Sequence, residues 1–189
     1  MYKRQGYANE REVGLAIANS GVPRDDVFVV TKLWNADQGY ENTLTAFGKS
    51  MHKLGLEYLD LYLIHWPMPA KNAFVDTFKA FAHLRDQGRI RSIGVSNFEP
   101  EHLRILVDAT GIVPAVNQIE LHPLLQQQEL REVHAQLEIE HVEVTHNSLG
   151  GHRLRDDDIT ELDMPPNQCL RWGFSVCLGD GRHGRVAQQ

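Results

Sequence analysis

The sequence predicts an α/β fold on parallel strands, closer to a (β/α) barrel than to an open sheet. Three observations predict it. Short, nearly continuous apolar runs recur: "VFVVT" from Val27, "LDLYLIH" from Leu59, "RSIGVSN" from Arg91, "PAVNQIE" from Pro114 and "HVEVTHN" from His141. Strands buried on both faces read this way. Segments of helical period lie between them, so strand and helix alternate at about the 30-residue spacing of a βαβ unit. No G-x-G-x-x-G follows a strand, so the phosphate loop of an open dinucleotide-binding sheet is absent.

The helical segments follow in order. "NEREVGLAIANSG" offers Asn9 as N-cap and Gly21 as stop. "ENTLTAFGKSMHKLG" puts Leu44, Phe47, Met51 and Leu54 on one face and ends at Gly55. "NAFVDTFKAFAHLRDQG" puts Phe74, Phe78, Phe81 and Leu84 on one face and ends at Gly88. "EPEHLRILVDATG" carries Pro100 and Glu101 in its first turn and ends at Gly111. "LQQQELREVHAQLE" is a fifth helix. Five strands are clear and "SVCLGD" is a weak sixth, whereas a closed barrel of this type needs eight. After Leu149 the pattern decays: "DMPP" interrupts it, and "GDGRHGRVAQQ" has no apolar periodicity, which predicts a disordered tail over 179–189.

At 189 residues the chain suits one domain with a sizeable core. Hydrophobic content of 42% and charged content of 23% are ordinary for a globular protein. A formal charge of −6 argues against a nucleic-acid surface. No apolar run reaches membrane-spanning length, and the N-terminus lacks the apolar segment of a secretory signal. The two cysteines, Cys169 and Cys177, have no second pair to complete a zinc site, and none of the ten histidines sits in a ligand spacing. A reduced, cytoplasmic chain without a metal is the simplest reading.

Catalytic residues of a (β/α) barrel sit at the C-terminal ends of its strands. Those ends read "TKLW" (Lys32, Trp34), "IHWP" (His65, Trp66), "VSNF" (Ser96, Asn97) and "NQIE" (Asn117, Gln118, Glu120). Each has a bland reading. Lys32 is a solvated strand end, His65 a core histidine, Ser96-Asn97 an N-cap for the helix at Pro100, and the tryptophans are packing. Gln118 resists this, because a buried amide needs partners. A tyrosine, Tyr7, stands in the loop "GYANE". Together, Tyr, Lys and His on one rim point to proton transfer to an oxygen. A phenol with a pKa of about 10 becomes a usable acid when an ammonium lies beside it. The amides of Asn97 and Gln118 match the donors and acceptors of a carboxamide, the group a nicotinamide ring carries.

These residues resemble the aldo-keto reductase family. "GYANEREVG", "VFVVTKLW", "LGLEYLDLYLIHWP", "GRIRSIGVSNF" and "PAVNQIELHPLLQQ" are similar to that family's blocks in order and spacing over roughly residues 6–139. The closest likeness is to the bacterial branch that reduces diketo-gluconate and related small carbonyls. The resemblance implies a TIM barrel that binds NADPH without a Rossmann domain and takes no metal. It implies Tyr7, Lys32 and His65 as catalytic residues and Trp34 and Trp66 as the wall for a small carbonyl substrate. It implies Ser96, Asn97 and Gln118 on the nicotinamide carboxamide, His146 against the ring and Leu149 at the pyrophosphate.

Three departures from the family pattern set further expectations. Tyr2 stands where the family has an Asp paired with the Lys, and "MYKRQ" reads as a foreign or misread start over 1–5. The family's aromatic block is "THNSLGG" here, with His146 in place of Tyr. The 2′-phosphate grip has no counterpart. The expectation is thus a partial (β/α)8 TIM barrel over 6–178, lacking the first two strands and degraded at its C-terminal end. Its open sheet edges would invite self-association. The expected function is NADP(H)-dependent reduction of small aldehydes or ketones. The alternative is an inactive fragment that binds nucleotide weakly.

Overall fold

The computed structural model describes residues 9–144 and two short strands, Val176–Leu178 and Arg185–Val186. Helix α1 (Glu10–Asn19) leads to β1 (Val27–Leu33), α2 (Tyr40–Leu54), β2 (Leu59–Ile64), α3 (Phe74–Asp86), β3 (Ile90–Ser96), α4 (Pro100–Thr110), β4 (Val116–Glu120), α5 (Gln128–Leu137) and β5 (Glu140–Val144). The five strands pair in parallel and in sequence order. They form the curled, half-closed part of a (β/α) barrel, as the alternation predicted.

The periodicities carry over into packing. Phe47, Met51 and Leu54 of α2 are buried, with Leu44 partly so. In α3, Phe74, Phe78, Phe81 and Leu84 are all buried. The α2 helix stops where predicted, because Gly55 (φ 65°) adopts the left-handed conformation that lets its N–H close on Met51 O at 2.9 Å. Asn9 occupies the N-cap position of α1, but its side chain makes no capping bond.

Strand alternation sorts the core into two clusters. Val27, Val29 and Leu33 of β1, Tyr62 and Ile64 of β2, and Ile93 and Val95 of β3 face the helices. There Tyr62 stacks on Phe81 at 4.4 Å. Val30, Leu61 and Leu63 form a separate cluster with Val116 on the opposite, concave face. That face curls tightly. A Cβ on Gly94 would lie 2.6 Å from Val116 O and 2.8 Å from Leu63 Cδ2, so only glycine lets β3 and β4 approach there.

The starts of the strands are tied by charge. Asp60, buried in β2, accepts from Arg24 Nη2 at 2.8 Å, from the Val29 amide at 2.9 Å and from Arg91 Nη1 at 3.0 Å. Both guanidinium groups also lie over the Tyr58 ring, their carbons 4.0 Å (Arg24) and 4.3 Å (Arg91) from its centroid.

The segment "SVCLGD" does contain a strand, β6 (Val176–Leu178), but it does not extend the parallel series. It pairs antiparallel with the outer edge of β1, Phe28 opposite Cys177, at the far side of the sheet from β5. An edge strand presents unpaired backbone groups, and either strand direction satisfies them. A two-residue strand, β7 (Arg185–Val186), pairs antiparallel with β6 inside the stretch 179–189. The rest of that stretch and residues 1–5 lie outside the described residues.

Candidate active site

Register decides which polar residues share a face. Lys32 is opposite Leu63, and Leu63 is opposite Gly94. One level higher, the His65 amide donates to Leu33 O at 3.2 Å, and Ser96 is opposite Gln118. Strand residues alternate in direction. Lys32, Trp34, His65, Ser96 and Gln118 therefore share the concave face with Val30, Leu61 and Leu63, toward the C-terminal ends of the strands. Sequence spacing alone located the ends of the runs, and the pairing makes them one rim.

Asn117 is the exception among the rim candidates. Alternation turns it to the helix side, where its Nδ2 donates to Phe98 O at 2.9 Å and lies 2.9 Å from His134 Nε2. It is a structural clip for the turn after β3. The N-cap reading of Ser96-Asn97 is also corrected. Glu99 is the N-cap of α4, in a capping box with His102, whose Nδ1 accepts the Glu99 amide at 3.2 Å. Ser96 Oγ instead donates to Gln118 O at 3.0 Å. Asn97 takes a left-handed turn (φ 62°), which Asn tolerates better than most residues. Its Nδ2 donates to His65 O at 2.9 Å and to Ser96 Oγ at 3.1 Å, and its amide donates to Gln118 O at 2.9 Å. Asn97 thus joins the ends of β2 and β4 across β3.

The electrostatics of the rim follow from burial. Desolvation lowers the Lys32 ammonium to about 8, and no hydrogen bond or ion pair holds it among the described residues. His65 is lowered to about 4, first by burial and then by the Lys32 charge, so its imidazole is neutral at neutral pH. Its ring lies 5.0 Å from Trp34 and 6.3 Å from Trp66. Trp66 is 46% exposed at the rim.

Unpartnered buried atoms concentrate here. His65 Nδ1, Gln118 Oε1, Gln38 Oε1 and Asn35 Oδ1 are buried without a hydrogen-bond partner among the described residues. Asn35 and Gln38, in the loop after β1, went unnoticed in the sequence. Gln38 Nε2 donates to Trp66 O at 2.6 Å, and Lys71 Nζ donates to Asn35 O at 2.7 Å. These bonds join the loops that carry the two tryptophans. The sequence offered no signal for them, because each partner is a backbone carbonyl of a distant loop.

Tyr62 illustrates why the position of a phenol matters. Burial and nearby carboxylates push it far above its ordinary value, and it faces the helices. It is no proton donor at neutral pH. Tyr7, His146 and Leu149 lie outside the described residues. A cavity of about 580 Å³ lies elsewhere, between α1 and the end of α2, and none of the rim residues lines it.

Among the described residues no group of three or more His, Cys, Asp or Glu is placed to hold a metal, and no helix is long and apolar enough to cross a membrane. The free amide oxygens at the rim match the N–H groups of an organic carboxamide. Gln118 Oε1 is a buried acceptor in need of an N–H, and Asn97, with both Nδ2 hydrogens in use, keeps its Oδ1.

Comparison with known proteins gives the same direction. The model of the aldo/keto reductase family matches residues 1–171. An aldo-keto reductase of Mycolicibacterium smegmatis is 77% identical over 176 residues, covering 90% of this chain and 63% of that protein. The crystal structure of an aldo/keto reductase from Brucella melitensis superposes with a TM-score of 0.70 at 55% identity, over 71% of this chain and 53% of that one. The Bombyx mori aldo-keto reductase in complex with NADP superposes with a TM-score of 0.65 at 37% identity, over 74% and 48%. The chain thus spans less than two thirds of the length of these relatives.

Proposed function

Since this chain belongs to the aldo/keto reductase family, we propose that it reduces small aldehydes or ketones to alcohols with NADPH, Tyr7 serving as the acid. One observation carries the reading: the register gathers Lys32, His65, Ser96 and Gln118 on a single concave rim, with Trp34 beside them. When bound, the reduced nicotinamide supplies the hydride. Gln118 and Asn97 would hold its carboxamide, and the unpartnered Gln118 Oε1 supports that fit. Ser96 braces the turn by its bond to Gln118 O. His146 would lie against the ring and Leu149 at the pyrophosphate.

The chain's own residues divide the remaining work. Trp34 and Trp66 form an apolar wall that excludes water from the carbonyl. Neutral His65 can donate one ring N–H to the carbonyl oxygen and orient it, which a charged imidazolium would do only at acid pH. Tyr7 gives its proton to that oxygen as negative charge develops there. Lys32 stabilises the resulting phenolate when its amine is charged.

The test is NADPH oxidation with a diketo acid or methylglyoxal. Turnover should fall by roughly a hundredfold or more in Tyr7→Phe, the scale of a lost general acid. Equal rates in the two proteins would remove Tyr7 from the mechanism. Absence of turnover in the unaltered chain would favour the nucleotide-binding fragment.

A further inference from the structure

We propose that Gln38 is a positioning residue of the rim: its side-chain amide straps the loop after β1 to the Trp66 carbonyl and so seats the Trp66 indole against the carbonyl substrate. The inference rests on the reading that Trp66 walls the substrate site. Gln38 is buried, and its Nε2 donates to Trp66 O at 2.6 Å. A carbonyl oxygen only accepts, so the amide nitrogen has to be the group that faces it. Trp66 is followed by Pro67, whose nitrogen carries no hydrogen. The carbonyl is therefore the one hydrogen-bonding group of the peptide link that leaves Trp66, and Gln38 holds it.

The strap has a firm base. The amide of Gly39, next along the chain, donates to Thr77 Oγ1 at 2.8 Å, and Thr77 is fully buried in α3. Thr77 Oγ1 in turn donates to Ala73 O at 2.8 Å. The loop beyond Trp66 bends through two left-handed residues, Met68 (φ 46°) and Asn72 (φ 48°), a conformation that costs free energy without glycine. Such a bend persists only where neighbouring contacts hold it. Gln38 thus reaches from a point fixed on α3 to a loop that does not hold its own shape.

A second bond joins the same two loops, from Lys71 Nζ to Asn35 O at 2.7 Å. Lys71 is exposed to water and Gln38 is buried. An exposed donor exchanges its partner for water at little cost, and a donor held out of water does not. Gln38 therefore sets how far Trp66 can move, and with it the fit of the site before any ligand arrives. A wall fixed beforehand spares the ligand the cost of ordering it, so the effect falls on substrate binding and not on the chemical step.

The experiment labels the chain with 5-fluorotryptophan, and Trp66→Phe identifies the Trp66 fluorine signal. Its relaxation by a soluble gadolinium chelate reads how far the indole stands in water, without nucleotide or substrate. Trp66 is 46% exposed, so release of the strap in Gln38→Met should raise that relaxation by up to about twofold. Lys71→Met should raise it by less. Gln38→Glu, which keeps the shape but at neutral pH cannot donate, repeats the test should Gln38→Met fail to fold. In NADPH oxidation with a diketo acid, KM should rise about three- to tenfold, the shift that goes with one lost hydrogen bond, while kcat stays within about twofold. An unchanged Trp66 signal in a folded Gln38 variant overturns the proposal. So does an equal rise in Lys71→Met, since any link between the loops would then suffice. A fall in kcat at constant KM overturns it as well, because Gln38 would then act on the chemistry. If the unaltered chain shows no turnover, the reductase reading fails, and the fluorine signal decides the strap alone.

Discussion

The two ends of the parallel sheet treat buried polarity in opposite ways. At the strand starts, the Asp60 carboxylate is buried but met by three donors, from Arg24, Arg91 and the Val29 amide. At the strand ends, and among the described residues, Lys32 has no ion-pair partner and His65 Nδ1 and Gln118 Oε1 are buried without a hydrogen bond. A buried charge or amide costs free energy unless it is paired. The difference teaches where the molecule invests order for its own stability and where it keeps groups ready for something else. One end staples β1, β2 and β3 in register. The other keeps desolvated groups that, on the proposed function, a carbonyl compound and a carboxamide would complete.

This contrast can be broken from either side. The largest effect is expected from Asp60→Asn. It leaves two arginines and the Val29 amide around a neutral amide and should destabilise the fold by about 3 kcal/mol, as for other broken buried ion pairs. Urea denaturation measures it. A loss under about 0.5 kcal/mol would mean that the strand-start network is no staple.

Lys32→Met should act in the opposite direction. The folded-state pKa of Lys32, about 8, is depressed below the unfolded value of about 10.5. Between those values the unfolded chain binds more protons, so stability rises with pH from about 8 to 10.5. Below pH 8 the buried ammonium is a cost. Lys32→Met should therefore stabilise at pH 7 by about 1–2 kcal/mol after allowance for partial solvent screening, and the gain should shrink as pH rises from about 8 to 10.5. Thermal melts across that range check it, and a variant less stable at pH 7 would show that a stabilising partner holds Lys32.

The smallest effect concerns His65. Its folded-state pKa of about 4 lies below the unfolded value of 6.5. The stability it permits is full above pH 6.5 and is lost as pH falls toward 4, because only the unfolded imidazole takes up a proton readily. His65→Asn should flatten that part of the acid limb by about 1 kcal/mol. Superimposable pH–stability curves for the two proteins would contradict the buried, neutral assignment.

Much of this was legible along the chain. The strands announced themselves as β-branched apolar runs and the helices by aligned apolar residues, because burial on one or both faces imposes those periods whatever the topology. Gly55 and Gly111 ended their helices as read, each in the left-handed conformation. The rim residues were legible as polar closures of apolar runs. Asn117 was misplaced because run-end position does not reveal side-chain direction, and a shift of one residue changes the face. The bland alternative for Ser96-Asn97, a helix cap, failed because a short polar pair before Pro100 fits both a cap and a turn, and the actual cap, Glu99, is a less common choice. Asp60 stood in "LDLYLI" as an acid inside an apolar strand, but its arginines come from other elements. The strand β6 was visible as apolar sequence, and its antiparallel direction was not.

The sequence by itself determined the elements, their order and the kinds of residue at each strand end, because local burial and turn chemistry act over a few neighbouring residues. Only the tertiary structure decided which of those residues share a face and which are paired. It put Lys32 and His65 Nδ1 in a desolvated rim without hydrogen-bond partners among the described residues and Asp60 among three donors, since pKa and hydrogen bonding depend on atoms that distant strands bring within a few ångströms.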